Sequence, residues 1–284
     1  MIFDPRPCEL GEGPFWHPER GQLFWFDILH CRLLSQGPAG GEEWVFPEMV
    51  SAAGWISRDE LVIAGEGGLF RFDLASGRRE RLATVEAGFG TRSNDGRADR
   101  QGGFWWSTMG KRGGEDPGKG AVWRWYRGEV RCLFPGLTIP NSICFTPDGR
   151  FAHFSDTAAQ RVMQVALDAE GWPAAEPELF LDLSVEDLNP DGAVIDAEGA
   201  MWQAQWGAGR VAAYGPDGRF LRAVEVGAPH SSCPAFGGPG LDRMFVTTAR
   251  EGMSPAALAA CPDAGKVFAL PGVSRGLPEP RVLV

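Results

Sequence analysis

The 284-residue chain carries a formal net charge of −10, with 44% hydrophobic and 23% charged residues. That is the balance of a folded globular protein, long enough to bury roughly three quarters of its unfolded surface. With no basic run longer than two residues and no apolar stretch near the ~20 residues of a membrane span, neither nucleic acid nor a membrane is expected as a partner.

Taken in chain order, the sequence repeats. Polar turns that precede an apolar, strand-like run open at His17, Ser57, Asp99, Thr146, Asp196 and Gly237. The residues five places earlier are Glu12, Ala52, Asn94, Asn141, Asp191 and Ser232, separated by 40, 42, 47, 50 and 41 residues. Short strands recurring every 40–50 residues are the signature of a β-propeller with one blade per repeat. The unit is clearest in mid-chain: a strand at 141–145, a turn at 146–150, a strand at 151–155, a polar connection and a strand at 161–167. The same order recurs over 194–214 and again over 236–270. Pro-Asp-Gly and Asp-Ala-Glu-Gly are turn sequences because Gly supplies positive φ at no steric cost. One short helix is expected near 254–260, where Ser-Pro opens an Ala-rich turn. The expected fold is therefore all-β: a single six-bladed β-propeller spanning 1–284, with a metal site in its central channel.

The six cysteines, at 8, 31, 132, 144, 233 and 261, form no C-x-x-C pair and are expected as buried free thiols. The first residues lack a basic segment followed by an apolar core, so the expected location is cytoplasmic.

Equivalent blade positions share a radius, so the six residues five places before the turns should form a ring at the channel mouth. Four of the six are acids or amides. Asn is scarce, occurring only at 94, 141 and 189; two of the three are ring members. Glu12 is flanked by glycines that leave room for a carboxylate in a crowded funnel. Asp191 sits in a Pro-Asp-Gly sequence that reads as an ordinary turn on its own, yet the turns at Asp148 and Asp217 fall elsewhere in the repeat. Glu12, Asn141 and Asp191 give three oxygen ligands and two negative charges. Without a cation those acids would repel and one would take up a proton. All-oxygen ligation favours Ca²⁺, Mg²⁺ or Mn²⁺ over a Cys/His zinc site and leaves positions open for substrate. The loop from Gly110 to Gly120 is long and charged enough to cover a site on this face. Gly272-Val-Ser-Arg-Gly276 matches a nucleophile-elbow pattern, but no His follows it. His17, His30, His153 and His230 show no ligand spacing, and turn, surface or core roles are expected for them.

Several stretches together resemble the gluconolactonase/regucalcin (senescence marker protein) family. They are Leu10-Gly-Glu-Gly-Pro-Phe-Trp16 with Phe24–Ile28, Arg92-Ser-Asn-Asp-Gly96, Phe104–Gly110, Pro190-Asp-Gly192, Gly209-Arg-Val211, Phe236-Gly-Gly238 and Thr248–Met253. Their order and spacing cover nearly the whole chain. The resemblance implies a six-bladed propeller with one divalent metal in the channel, held by Glu12, Asn141 and Asp191. It implies substrate contacts at Arg92 and Asn94, and an acidic one in the 110–120 loop, where Glu115 is chosen over Asp116. Ser142 stands where the family often has Gly. The implied activity is metal-dependent hydrolysis of a sugar (aldono-) lactone, with Asp191 as general base and Glu12 as its alternate. Calcium is the first candidate ion, ahead of Mg, Mn, Zn and Fe. The alternatives are a non-catalytic calcium-binding or regulatory propeller and a hydrolase of non-sugar lactones or esters.

Overall fold

In a computed structural model, which describes every residue except Ala87 and Phe89, 24 strands form six four-stranded antiparallel sheets arranged as a β-propeller. Five blades are continuous in sequence: blade 1 (11–45), blade 2 (50–84), blade 3 (91–137), blade 4 (140–182) and blade 5 (189–225). Blade 6 closes the ring. Its three inner strands, Ser231–Gly237, Arg243–Thr248 and Val267–Pro271, are completed by the chain's first strand, Ile2–Asp4. The expected helix forms at Pro255–Ala260, with Ser254 Oγ accepting from the Ala257 amide at 3.2 Å.

The core is not one body. Six apolar clusters occupy the six interfaces between neighbouring blades, from Phe15, Phe24 and Phe70 between blades 1 and 2 to Leu23, Trp25 and Phe245 between blades 6 and 1. Side chains alternate across a strand, so consecutive residues such as Trp105 and Trp106 feed clusters on opposite faces of one blade. Both faces of each sheet are buried, which is why these strands read as near-continuous apolar runs. The outermost strands, such as Gly40–Val45 and Arg79–Thr84, are mostly exposed and polar.

Turn chemistry repeats with the blades. Asp99 Oδ1 accepts the Gly103 amide at 2.7 Å and its Oδ2 accepts from Trp105 Nε1 at 3.1 Å; Asp196 does the same for Ala200 at 2.9 Å and Trp202 at 2.8 Å. One carboxylate thus closes the hairpin and satisfies a buried indole. At the same turn in blade 1, His17 Nδ1 accepts the Arg20 amide at 3.3 Å while Nε2 faces the Ser57 carbonyl at 3.1 Å. All six cysteines are free; Cys8, Cys144 and Cys233 are buried as expected, but Cys31 and Cys261 are half-buried and Cys132 lies exposed on an outer strand.

The C-terminal segment crosses the propeller face opposite the candidate site. Ser274 Oγ donates to Asp196 Oδ2 at 2.7 Å, the Val282 amide donates to the Trp55 carbonyl at 2.9 Å, and Glu279 pairs with the buried Arg97. This explains Gly272–Gly276: Ser274 ties the strap to blade 5. Removing one partner of a buried ion pair costs about 3–5 kcal/mol. Glu279→Ala should therefore lower the unfolding free energy by that amount, read as a lower urea midpoint at unchanged m; an unaltered midpoint would show that the strap lies on the face without energetic weight.

Burial pushes His17 and His153 down to about 4. Both are neutral in the folded protein at neutral pH, whereas in the unfolded chain they titrate near ~6.5. Between those values the unfolded state binds more protons, so their contribution is fully present above pH ~6.5 and is lost as pH falls towards 4. His153→Leu should flatten the fall in urea midpoint between pH 7 and pH 5, whatever its effect on absolute stability. An identical slope in the variant would remove His153 from the account.

Candidate active site at the channel mouth

All six ring positions lie on the innermost strands, and each strand carries a register irregularity there: between Glu12 and Phe15, Val50 and Ala52, Ser93 and Gly96, Asn141 and Cys144, Pro190 and Ala193, and Ser231 and Cys233. A bulge leaves residues unpaired, bends the strand and re-aims a side chain. Repeated six times around one axis, it gathers residues from distant parts of the chain. Gly13 follows Glu12 with φ +54, and a Cβ there would collide with the Ser51 carbonyl oxygen of the next blade. Gly192 follows Asp191 where a Cβ would run into the Cys233 sulfur. At the matching point in blade 4, Ser142 takes φ +57. Its hydroxyl donates to the Asp191 carbonyl at 2.5 Å and accepts from Gln203 Nε2 at 3.1 Å, bonds that hold the backbone under Asp191.

Glu12, Arg92, Asn94, Glu115, Asn141 and Asp191 all line one cavity of about 710 Å³ at this end of the channel. Asp116 does not. Its carboxylate is turned into the loop, held by Arg112 at 2.6 Å and Lys119 at 2.8 Å, which pull its pKa far down. The long loop does cover the site: Lys111 and residues 112–114 join Glu115 in the wall. Ala52 and Ser232 complete the ring but not the cavity. Ala52 is core between blades 2 and 3, and Ser232 Oγ donates to the Gly11 carbonyl at 2.5 Å.

An ordered chain of hydrogen bonds runs along the floor. Arg92 Nη1 donates to Asn94 Oδ1 at 2.7 Å, Asn94 Nδ2 to Asn141 Oδ1 at 2.8 Å, Asn141 Nδ2 to Thr157 Oγ1 at 2.9 Å, and Thr157 Oγ1 to the Pro190 carbonyl at 2.6 Å. Each amide is thereby fixed in one orientation, and the Asn141 oxygen retains a second lone pair. Below the ring, Asp95 accepts the Ile143 amide at 2.6 Å and clips blade 3 to blade 4.

Burial, then the Asp95 charge, raise Glu12 to about 8 against the Gly13 amide and Arg92. Asp191 is raised well above the usual carboxylate range by burial and by Glu12 and Asp95. Two buried acids, the second raised in part by the first, form a site short of positive charge. Among the described residues no three His, Cys, Asp or Glu side chains form a metal-holding group; the donors here are two carboxylates and an amide. An all-oxygen set with a negative surplus fits a hard divalent cation.

A family model described as the SMP-30/Gluconolactonase/LRE-like region matches residues 10–250. The chain belongs to that family. A Rhizobium meliloti protein bearing a sugar lactone lactonase name is 40% identical over 275 residues, covering 96% of this chain and 93% of the relative. An L-arabinolactonase of Azospirillum brasilense is 36% identical, covering 94% of this chain and 90% of the relative. The crystal structure of a calcium-binding protein, regucalcin, from Agrobacterium tumefaciens superposes with a TM-score of 0.97 at 39% identity, covering 100% of this chain and 97% of that one.

Among the cavity residues that escape the ring pattern are Thr157, Trp206 and Glu251. They sit at or beyond strand ends rather than on inner strands, where the ring pattern does not reach. The one available signal for Glu251 was its place in the Thr248–Met253 stretch.

Mutual repulsion makes a specific stability prediction. With divalent ions removed at pH 8, Asp191→Asn should melt about 2–4 °C above the wild type, the shift expected for ~1 kcal/mol in a chain of this size class. Any rise in Tm that added Ca²⁺ gives the wild type should be lost in the same variant. A metal-free variant that melts below the wild type would refute the repulsion between Glu12 and Asp191.

Proposed function

We propose that this chain hydrolyses sugar (aldono-) lactones to the corresponding aldonic acids, using one divalent cation held by Glu12, Asn141 and Asp191. The observation that carries the reading is the convergence, in one cavity, of two charge-starved carboxylates, two oriented amides and a buried guanidinium. The names of the bacterial relatives support the substrate class, and the calcium-binding description of the Agrobacterium protein supports calcium as the first candidate ion, with Mg, Mn, Zn and Fe as alternatives. A cation bound there supplies Lewis acidity and cancels the carboxylate charge.

The chain's own residues do the rest. Arg92 and Asn94 bind ring and hydroxyl oxygens from blade 3, and Glu115 accepts a hydroxyl from the overlying loop. Asp191, with Glu12 as alternate, takes the proton of the water that attacks the lactone carbonyl carbon. The C–O bond of the ring breaks, the proton passes to the departing ring oxygen, and the product is an open-chain hydroxy acid. Since the amide chain from Arg92 to Thr157 is preformed, the substrate meets an oriented floor rather than one it must order.

A pH-indicator assay on chelator-stripped protein, with each metal added back against five- and six-membered aldonolactones, tests the proposal. Turnover restored by metal well above spontaneous opening is expected. Asp191→Ala should reduce kcat by about 10²–10⁴-fold while its melting transition stays cooperative. A normal kcat in that variant would sink the role of Asp191. Metal binding without turnover would support the regulatory propeller, and turnover confined to non-sugar lactones or esters would move the substrate class.

A further inference from the structure

Opposite Arg92 and Glu115 the cavity has a second wall, built by blades 5 and 6, that the ring residues do not supply. Trp206 ends the strand Met201–Trp206, and Glu251 follows the strand Arg243–Thr248; both side chains line the cavity. His230 stacks against the Trp206 indole with ring centroids 4.3 Å apart and planes 17° apart, and it is not part of the cavity wall. One face of the indole is therefore occupied from behind, which fixes its orientation towards the cavity. The His230 carbonyl accepts the Ala249 amide at 3.0 Å, two residues before Glu251, and burial lowers the pKa of its imidazole. The Glu251 amide in turn donates to the Glu9 carbonyl at 2.9 Å. One residue thus joins the two elements of this wall, its ring stacked on the aromatic and its backbone held beside the acid.

The Glu251 carboxylate makes no hydrogen bond to any described side chain, in contrast to Asp116. Its main electrostatic counterpart is Arg92, whose own Nη1 is committed to Ser93 and Asn94. An unengaged acid beside a rigid aromatic face suits a cyclic polyol: the acid accepts from hydroxyls, and the apolar C–H face of the ring lies on the indole.

We propose that Trp206 and Glu251 form a sugar-recognition wall, with the substrate ring lying on the indole and a hydroxyl remote from the lactone carbonyl donating to Glu251, and with His230 as the positioning residue for Trp206. This rests on the lactonase reading and deepens it. The wall selects polyhydroxylated lactones over apolar ones of the same ring size. Because its contacts lie away from the reacting carbonyl, they bind ground state and transition state alike, and their loss acts on KM rather than kcat.

The test is steady-state kinetics of wild type, Glu251→Gln, Trp206→Ala, Trp206→Phe, His230→Phe and His230→Ala. Substrates are an aldonolactone and monodeoxy analogues, and Ca²⁺ binding and thermal melts are measured alongside. A charge-assisted hydrogen bond is worth enough for Glu251→Gln to raise KM about tenfold or more, with kcat within about threefold. One deoxy analogue should erase the difference between that variant and wild type. Trp206→Ala should raise KM similarly, Trp206→Phe should recover part of the loss, and His230→Phe, which keeps the stack, should retain the Trp206 contribution, whereas His230→Ala should lose part of it. Calcium affinity should be unchanged throughout. Wild-type KM in both Glu251→Gln and Trp206→Ala would overturn the wall alone, as would a fall in kcat at constant KM or a loss of calcium binding. A wild type that turns over none of the lactones would overturn the lactonase reading and the wall with it.

Discussion

The whole arrangement depends on circular closure. A sheet blade buries both faces only if it has a neighbour on each side, so the first and last blades are stable only when they meet. Here they meet because Ile2–Asp4 crosses over to pair with Val267–Pro271, which makes blade 6 a composite of both chain ends. With the ring shut, six interfaces share the apolar burden, and the free inner edge of each blade is sheltered at the channel axis. The axis is then the place where six strand beginnings approach closely, and only small residues or bulged backbone fit between them. The glycines after Glu12 and Asp191 mark that crowding, since a Cβ at either would strike the adjacent blade. Crowding and chemistry are thus one constraint: the bulges that relieve the packing are the bulges that turn Glu12, Asn94, Asn141 and Asp191 inward.

This is also why so much of the fold and of the ring is legible in the sequence. The turns at Asp99 and Asp196 announce themselves because the same carboxylate satisfies a hairpin amide and an indole in each blade. Counting back from such turns lands on the bulge, so a Pro-Asp-Gly at the channel can be told from one at a surface turn. Asp148 accepts from Thr146, Arg150 and the local backbone, whereas Asp191 faces the cavity. The outermost strands and the strap are less legible. Gly40–Val45 is polar because it borders solvent, and the Pro-rich tail has no period because it crosses blades instead of joining one. Trp206 and Glu251 fail for the same reason as the strap, being fixed by contacts between blades 5 and 6 that no local pattern encodes. The choice between Glu115 and Asp116 needed the third dimension, because only placement shows which acid is already spent on Arg112 and Lys119.

The two ends of the channel have opposite electrostatic designs. At the strap end, Arg97 is buried against Glu279, and positive meets negative inside the protein. At the mouth, the loop cations are likewise neutralised, Lys111 by Glu66 and Arg112 by Asp116. Inside the mouth, however, Glu12, Asp191 and Glu251 all bear on the single guanidinium of Arg92, so that with all three ionised two negative charges would be left over. Folding tolerates such a surplus only at a cost, since each of these acids is pushed upward by burial and by neighbouring acids. Arg124, by contrast, is fully buried and paired directly with Asp99. A surplus of two is the charge that one divalent cation cancels, and the oxygen donors around it are those such a cation prefers. The excess negative charge and the bulges of blades 1, 3, 4 and 5 fall at the same place because the channel mouth is where side chains from those blades converge on one cavity.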